Sequence, residues 1–202
     1  MALTVVAGIG TEIGKTVISA ILCKAWDMAY WKPVQSGIEE ETDTQIVSRL
    51  VNDPSFTFLK ESVVTQTPMS PHASAAIDGV SIKPDDLSLP SSDKPILAEL
   101  AGGLMVPLND DYNNIDWLKD MNAEVVLVSQ YYLGSINHTL LSVEALRARG
   151  IRIKGIVFNG DTVPTTREVI LHQTGLPCLL EIPTLENISP EIVAEYAAKL
   201  VG

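Results

Sequence analysis

A glycine-rich loop follows the first apolar run of the chain and leads directly into a helical stretch. The run Leu3 to Ala7 is succeeded by Gly8-Ile9-Gly10-Thr11-Glu12-Ile13-Gly14-Lys15-Thr16, and the pattern predicts a helix over 14–25. Glycines allow successive backbone amides to point at one anion, and the helix N-terminus adds its dipole. A lysine here reaches the terminal phosphates of a nucleotide, and the following hydroxyl coordinates magnesium. This arrangement predicts a nucleoside triphosphate site.

The loop departs at one position from the strict phosphate-loop pattern. That pattern has a glycine five residues before Gly14, where this chain has Ile9, and glycines stand on either side of it at Gly8 and Gly10. A tight turn with an exposed lysine is the alternative interpretation. The Gly-Lys-Thr core between a strand and a helix favours nucleotide binding over that alternative.

The rest of the chain alternates between short apolar runs and helical stretches. The runs are continuous and rich in Val, Ile and Leu, which is typical of parallel strands buried on both faces. They predict strands over 3–7, 96–101, 125–128, 153–158 and 179–182, with helices over 14–25, 44–51, 135–149, 165–174 and 190–201. The alternation predicts an α/β fold: a doubly wound, mostly parallel sheet of the P-loop NTPase type with three αβα layers, in a single domain spanning 1–202.

Two segments interrupt this alternation. Residues 52–72 contain three prolines, and residues 102–116 contain paired glycines, Pro107 and a run of Asn and Asp. Long irregular stretches in a compact domain tend to be functional loops, and plain surface loops are the alternative. Ligands of such sheets bind beyond the carboxyl ends of the strands, so candidate site residues are sought there.

Composition excludes several classes of function. No apolar run reaches the roughly 18 residues of a membrane span, so no membrane association is expected. The 14 basic and 25 acidic residues give a net charge of −11, which argues against non-specific nucleic-acid binding. Cys23 and Cys178 stand alone among apolar residues and are expected to be reduced thiols. With no signal-peptide pattern at its start, the protein is expected to be cytoplasmic.

Further motifs resemble those of one enzyme family. Trp31-Lys32-Pro33-Val34-Gln35-Ser36-Gly37 follows the phosphate loop. Later in the chain stand Ser70-Pro71-His72, Glu99-Leu100-Ala101-Gly102-Gly103, Leu133-Gly134-Ser135-Ile136-Asn137-His138, Asn159 and Glu181-Ile182-Pro183. In this order and over most of the chain, they resemble dethiobiotin synthetase, the ATP-dependent ring-closing enzyme of biotin synthesis.

The resemblance implies a reaction and its partners. The family joins CO2, or bicarbonate, to 7,8-diaminononanoate and closes a cyclic urea, with cleavage of ATP to ADP and phosphate. A substrate amine becomes a carbamate, the carbamate takes the γ-phosphoryl group, and the other amine displaces phosphate. The protein's task is positioning and charge neutralisation. The resemblance also implies Mg²⁺, ATP as co-substrate and a homodimer.

The catalytic residues implied by the resemblance are Lys32, Lys15 and Thr11. Lys15 and the amides of 12–16 would hold the phosphates. Lys32 stands at the carboxyl end of a strand expected after the first helix, and it would face the carbamate and the moving phosphoryl group, where negative charge collects. A solvated lysine at a strand end is the alternative interpretation of Lys32.

The metal ligands implied by the resemblance are Thr16, Asp43 and Glu99, which offer the hard oxygen atoms that magnesium prefers. Glu99 stands out without the resemblance, because a carboxylate at the end of an apolar strand is costly unless it is paired or metal-bound. Asp43 also fits an acidic helix N-terminus that the helix dipole favours, and this alternative stays open.

The remaining implied contacts are with nucleotide and substrate. The nucleotide contacts are Glu12, Ile13, Gly14, Lys15, Thr16, Val17, Asp43, Glu99, Gly102, Asn159, Pro183, Leu185 and Glu186. Asn159 can read an adenine edge, since an amide donates and accepts at once. The substrate contacts are Ser36, Gly134, Ser135 and Asn137, the last three at a helix start whose amides would face the substrate carboxylate.

The chain departs from the family's pattern at Gly10, Leu100 and Tyr132, and residues 163–174 lack the tyrosine that some relatives supply from the partner subunit. The alternative function is a P-loop nucleotide switch ATPase, or a lapsed paralogue acting as a binding partner. Switch ATPases typically carry a second lysine at the start of the loop, whereas this loop opens with glycine and isoleucine.

Overall fold

The computed structural model describes residues 3–38 and 41–200. The strands are β1 (Leu3–Gly8), β2 (Ala29–Trp31), β3 (Val34–Ser36), β4 (Phe58–Leu59), β5 (Val63–Thr65), β6 (Ile96–Gly103), β7 (Pro107–Asn109), β8 (Tyr112–Asn113), β9 (Glu124–Gln130), β10 (Arg152–Asn159) and β11 (Cys178–Ile182). The helices are α1 (Lys15–Trp26), α2 (Asp43–Val51), α3 (Pro71–Asp78), α4 (Asn114–Asp120), α5 (Ser135–Ala148), α6 (Pro164–Thr174) and α7 (Pro190–Ala198), with a 3₁₀ turn over Pro84–Leu87.

Seven strands form the central sheet in the order β11-β10-β9-β1-β6-β2-β4, and all of its paired strands run parallel. One hydrophobic core packs α1, α2 and α7 on one face, and a second core packs α4 and α5 on the other. The predicted three-layer, parallel α/β fold is therefore confirmed. Two small sheets, β3–β5 and β7–β8, flank the main one.

Continuous burial explains why the central strands do not alternate in polarity. All six residues of β1 are buried, because helices cover both faces of the sheet. In β2, Tyr30 enters the core beneath α1, whereas Trp31 enters the opposite core and meets Trp117 edge-on at 5.9 Å between ring centroids. The following residue, Lys32, consequently leaves the sheet at its carboxyl edge.

The long apolar runs became β1, β6, β9, β10 and β11, and the five predicted helices are present with ends shifted by a few residues. The helix predicted over 190–201 ends at Ala198, and Val201 lies outside the described residues. Within the described ranges, no helix is long and apolar enough to span a membrane. Both cysteines are free thiols, as expected.

The two interrupting segments are not loops throughout, and that prediction was wrong in part. Residues 52–72 contain β4, β5 and the start of α3, while 102–116 contain the end of β6, the β7–β8 hairpin and the start of α4. These strands are two or three residues long, too short to carry a readable period. The α4 helix is seven residues long, which is also short for a periodic signal.

Candidate active site

The phosphate loop leaves β1 at Gly8 and enters α1 at Lys15 through two left-handed residues. Gly14 has a φ of 83° at the helix N-cap, and Glu12 has a φ of 57°. A left-handed conformation costs a non-glycine residue about 1–2 kcal/mol, and such strain tends to gather at functional sites. Lys15 folds back over the loop and donates from Nζ to the Gly10 carbonyl at 3.1 Å. Burial lowers the pKa of Lys15, although nearby Glu99 opposes the shift.

Four predicted site residues meet directly in front of this loop. The Thr16 hydroxyl lies 2.5 Å from Oδ1 of Asp43 and 3.1 Å from Oε1 of Glu99. Lys32 Nζ lies 2.7 Å from Oδ2 of Asp43 and 3.0 Å from Oε1 of Glu99. These residues come from α1, the end of β2, the start of α2 and β6, whose ends meet at one edge of the sheet.

The charges in this cluster stabilise one another. Burial opposes ionisation of Lys32, but Glu99 and Asp43 together outweigh it, and the pKa of Lys32 is raised. Burial also opposes ionisation of Asp43, but Lys32 and the Thr16 hydroxyl outweigh it, and the pKa of Asp43 is lowered. Lys32 is therefore a cation and Asp43 an anion at neutral pH, and Lys32 is no solvated strand-end lysine, since it is 3% exposed.

Three supporting residues were not foreseen from the sequence. Tyr30 donates its hydroxyl to Oε2 of Glu99 at 3.0 Å, from within β2. Gln35 accepts from the backbone N–H of Asp43 at 3.3 Å and donates to the Gly37 carbonyl at 3.1 Å. The sequence offered a signal for Gln35, because this residue stands inside the motif Trp31 to Gly37 that resembles the family.

The third supporting residue, Asn114, begins α4 and is 2% exposed. Its side-chain nitrogen donates to the carbonyls of Ala101 and Gly103 at 2.8 and 2.9 Å, which fixes the end of β6. Asn114 lay in a segment predicted as a loop, and nothing in the sequence distinguishes it from the asparagines around it.

A cleft of about 380 Å³, the phosphate-loop cleft, opens on the cluster. Its lining includes the predicted residues Thr11, Glu12, Ile13, Gly14, Lys15, Thr16, Lys32, Ser36, Asp43, Glu99 and Gly102. Leu100, which stands where the family has glycine, turns its side chain into the core and offers its carbonyl to Lys32 Nζ at 3.4 Å.

A second cleft of about 490 Å³, the apolar cleft, lies on the other side of the loop. It is lined by 8–11, 103–107 and the α5 residues His138, Leu141, Ser142 and Ala145. It shares Thr11 and Val106 with the phosphate-loop cleft.

The predicted substrate residues Gly134, Ser135 and Asn137 do not line either of these clefts. They form the start of α5, just before the cleft residue His138. The Ser135 amide donates to the Tyr132 carbonyl at 3.0 Å, so one first-turn amide of α5 already has a partner.

A third cleft of about 190 Å³, the α1 cleft, lies beside the start of α1. The predicted residues Val17, Asn159, Pro183 and Leu185 line it. The exposed Glu186 does not line it, whereas Gln130, which sequence analysis missed, does. Gln130 ends β9 beside Asn159 in the register of the sheet.

The chain is similar to known proteins over nearly its whole length. A family model described as an AAA domain matches residues 4–192. An ATP-dependent dethiobiotin synthetase BioD from Brucella ovis is 46% identical over 187 residues, which cover 93% of this chain and 88% of that protein. The enzyme of the same name from Christiangramia forsetii is 44% identical over 194 residues, which cover 96% and 93%.

Among solved structures, a ParA family ATPase from Chlorobium tepidum TLS superposes with a TM-score of 0.60 over 98% of this chain and 97% of that chain. At 13% identity, this likeness concerns the fold alone. The family resemblance of the motifs is confirmed by the two curated relatives, whose identity extends over nearly the whole chain. The chain belongs to the family of ATP-dependent dethiobiotin synthetases.

Proposed function

We propose that this protein catalyses the ATP-dependent closure of 7,8-diaminononanoate and CO2 into dethiobiotin, with release of ADP and phosphate. The names of its relatives supply the reaction. The observation that carries the proposal is Lys32, a buried cation held by two carboxylates beside the phosphate loop. A nucleotide switch needs no buried lysine outside the phosphate loop, because it has no carbamate to stabilise.

ATP would bind with its phosphates on the loop and its base in the α1 cleft. Residues 12–16, including Lys15, line the phosphate-loop cleft, so their amides and the Lys15 ammonium would bind the phosphates, and the start of α1 adds its dipole. Val17, Asn159, Pro183 and Leu185 would contact the base and ribose. The Asn159 nitrogen donates one N–H to the Ile13 carbonyl at 3.0 Å, which leaves its second N–H and its oxygen for the base.

The donor set fits Mg²⁺. Among residues 3–38 and 41–200 there is no group of three or more His, Cys, Asp or Glu side chains that could hold a metal ion. The candidate set is two carboxylates, Asp43 and Glu99, with the Thr16 hydroxyl between them. A set of so few protein oxygens is typical of Mg²⁺ sites, because the ion completes its coordination shell with water and phosphate oxygens. When bound, the ion would neutralise charge on the terminal phosphates.

Lys32 would act on the substrate side of the same site. One amine of the substrate attacks CO2, forms a C–N bond and loses a proton to give the carbamate. A carbamate oxygen then takes the γ-phosphoryl group as ADP leaves, and the second amine attacks the carbonyl carbon and expels phosphate. Each step gathers negative charge, and the raised pKa of Lys32 keeps a proton on Nζ to stabilise it.

The diamine would lie across Thr11, between the two larger clefts. Its amines would face Ser36, whose hydroxyl is buried and has no hydrogen-bond partner within the described residues. Its alkyl chain suits the apolar cleft, and its carboxylate would reach the start of α5 at Gly134, Ser135 and Asn137.

We also propose a cytoplasmic homodimer of single-domain subunits. Met105 and Leu141 line the apolar cleft and are more than half exposed, and Leu133 is fully exposed nearby in sequence. A partner subunit over this surface would bury apolar area and close the substrate cleft. Sedimentation velocity tests the dimer.

Phosphate release from Mg-ATP, with and without 7,8-diaminononanoate and bicarbonate, tests the function. We expect release that requires both co-substrates. Slow phosphate release that is the same with and without the co-substrates would instead indicate a nucleotide switch. No phosphate release, together with retained ATP binding, would indicate an enzyme that has lost its activity. Formation of dethiobiotin, followed by mass spectrometry, confirms the product.

A further inference from the structure

The two carboxylate oxygens of Glu99 have different partners. Oε1 faces the site, 3.0 Å from Lys32 Nζ and 3.1 Å from the Thr16 hydroxyl. Oε2 points away from the site and accepts a hydrogen bond from the Tyr30 hydroxyl at 3.0 Å. Glu99 is 1% exposed and Tyr30 is wholly buried, so no bulk solvent competes for these contacts.

Tyr30 reaches Glu99 from the core of the fold. Its ring packs beneath α1 and meets Phe58 edge-on at 6.5 Å between ring centroids. Burial, with the charge of Glu99 adding to it, raises the pKa of the Tyr30 hydroxyl, which therefore remains a protonated donor. A phenylalanine ring would pack in this place equally well without burying a polar atom. Packing therefore does not explain the hydroxyl, whereas its hydrogen bond to Glu99 does.

We propose that Tyr30 is a positioning residue for Glu99, holding Oε2 so that Oε1 stays directed at Thr16 and the divalent cation of the nucleotide. This inference rests on the proposed metal site. The terminal torsion of a glutamate is broad, so its two oxygens turn readily away from any one orientation. A hydrogen bond to one of them removes that freedom, as outer partners commonly do for metal ligands.

The Tyr30 contact and the Lys32 contact involve different oxygens of Glu99. Lys32 and Thr16 both bind Oε1, and within the described residues Tyr30 is the one hydrogen-bond partner of Oε2. Without the hydroxyl, Oε2 would be a buried charged acceptor with no donor, and Glu99 would rotate to recover one. For part of the time, neither oxygen of Glu99 would then be directed at Thr16.

The test is Mn²⁺ binding to the ADP complex of Tyr30→Phe, followed by electron paramagnetic resonance. We expect about tenfold weaker binding of Mn²⁺, the usual scale for losing an outer partner of a metal ligand. Affinity for ADP without a divalent cation should be unchanged, and raising Mg²⁺ should restore phosphate release. A matched control is Tyr112→Phe, which removes a hydroxyl that donates to Oδ2 of Asp120 at 2.7 Å, and which should leave Mn²⁺ binding unchanged.

Glu99→Gln and the double variant Tyr30→Phe/Glu99→Gln distinguish an effect of Tyr30 through Glu99 from an effect by another route. If Tyr30 acts through Glu99, Tyr30→Phe has little further effect on Mn²⁺ affinity in the Glu99→Gln background. The double variant also carries no buried charge lacking a donor, so it remains measurable if Tyr30→Phe alone is unstable. Unchanged Mn²⁺ affinity in Tyr30→Phe, with a loss in Glu99→Gln, would overturn the positioning role. Unchanged affinity in Glu99→Gln would overturn the metal site itself.

Discussion

The side-chain nitrogen of Asn159 lies 3.0 Å from the carbonyl oxygen of Ile13 and joins the end of β10 to the phosphate loop. The contact depends on the glycine that follows. A Cβ at Gly14 would lie 2.5 Å from the same nitrogen, and Gly14 has a φ of 83°. Gly14 therefore serves both the turn into α1 and the close approach of Asn159.

Gly14→Ala should weaken ATP binding and lower the free energy of unfolding. The left-handed backbone alone costs an alanine about 1–2 kcal/mol, and the collision with Asn159 adds to it. Gly79→Ala is the control, since Gly79 has a φ of 68° and no described atom within 4 Å of the added Cβ. Urea unfolding and ATP titration of both variants check this. Equal losses of stability, with ATP affinity intact in both, would contradict it.

Asn114→Ala should loosen the end of β6 that carries Glu99. The substitution leaves two carbonyls, those of Ala101 and Gly103, without their donor, and we expect the free energy of unfolding to fall by about 1–3 kcal/mol. Metal-dependent ATP binding should weaken as well. Asn109→Ala is the control, because its nitrogen donates to the Ile82 carbonyl at 2.8 Å outside the phosphate-loop cleft. A loss of ATP affinity in both variants would argue against a specific role for Asn114.

Local sequence predicted the phosphate loop and singled out Glu99 as a carboxylate at the end of an apolar run, whereas the roles of Lys32 and Asp43 came from the resemblance to the family. The carboxyl ends of parallel strands meet at one edge of the sheet, so these residues could be expected to converge. Pattern and elementary electrostatics thus anticipate the phosphate loop and Glu99, and the resemblance supplies the rest of the charged cluster.

Tyr30 and Asn114 could not be predicted in the same way. A tyrosine in an apolar strand is predicted to be a core aromatic residue. Whether its hydroxyl has a hydrogen-bond partner depends on which strand lies alongside. That neighbour is β6, far along the chain, with Tyr30 in register with Leu97, two residues before Glu99. Likewise, the short strands and α4 follow from tertiary packing rather than from any local period.

Asp43→Asn should lose stability at neutral pH and not at acid pH. The pKa of Asp43 lies below its ordinary value of 3.8 in the folded protein, so its contribution to stability is present above that value and lost as pH falls through the lowered pKa. Wild type should exceed the variant by about 1–2 kcal/mol at pH 7, and the difference should shrink below about pH 3.8. Urea unfolding with a chelator present measures this, with exposed Asp110→Asn as control. A difference that persists at low pH would exclude the charge as its cause.

Lys32→Ala should abolish turnover and leave ATP binding largely intact, because in the proposed function Lys32 would face the reacting groups rather than the loop. Removing a cation from developing negative charge costs at least about 100-fold in rate. The variant also leaves Glu99 and Asp43 without their cation, which costs about 3–5 kcal/mol of stability, so rates are compared per folded molecule. Lys24→Ala is the control, since the exposed Lys24 donates to the Val51 carbonyl at 3.0 Å and does not line the phosphate-loop cleft. Lys15→Ala should instead lose ATP binding itself, and the same pattern in Lys32→Ala would remove Lys32 from its catalytic role.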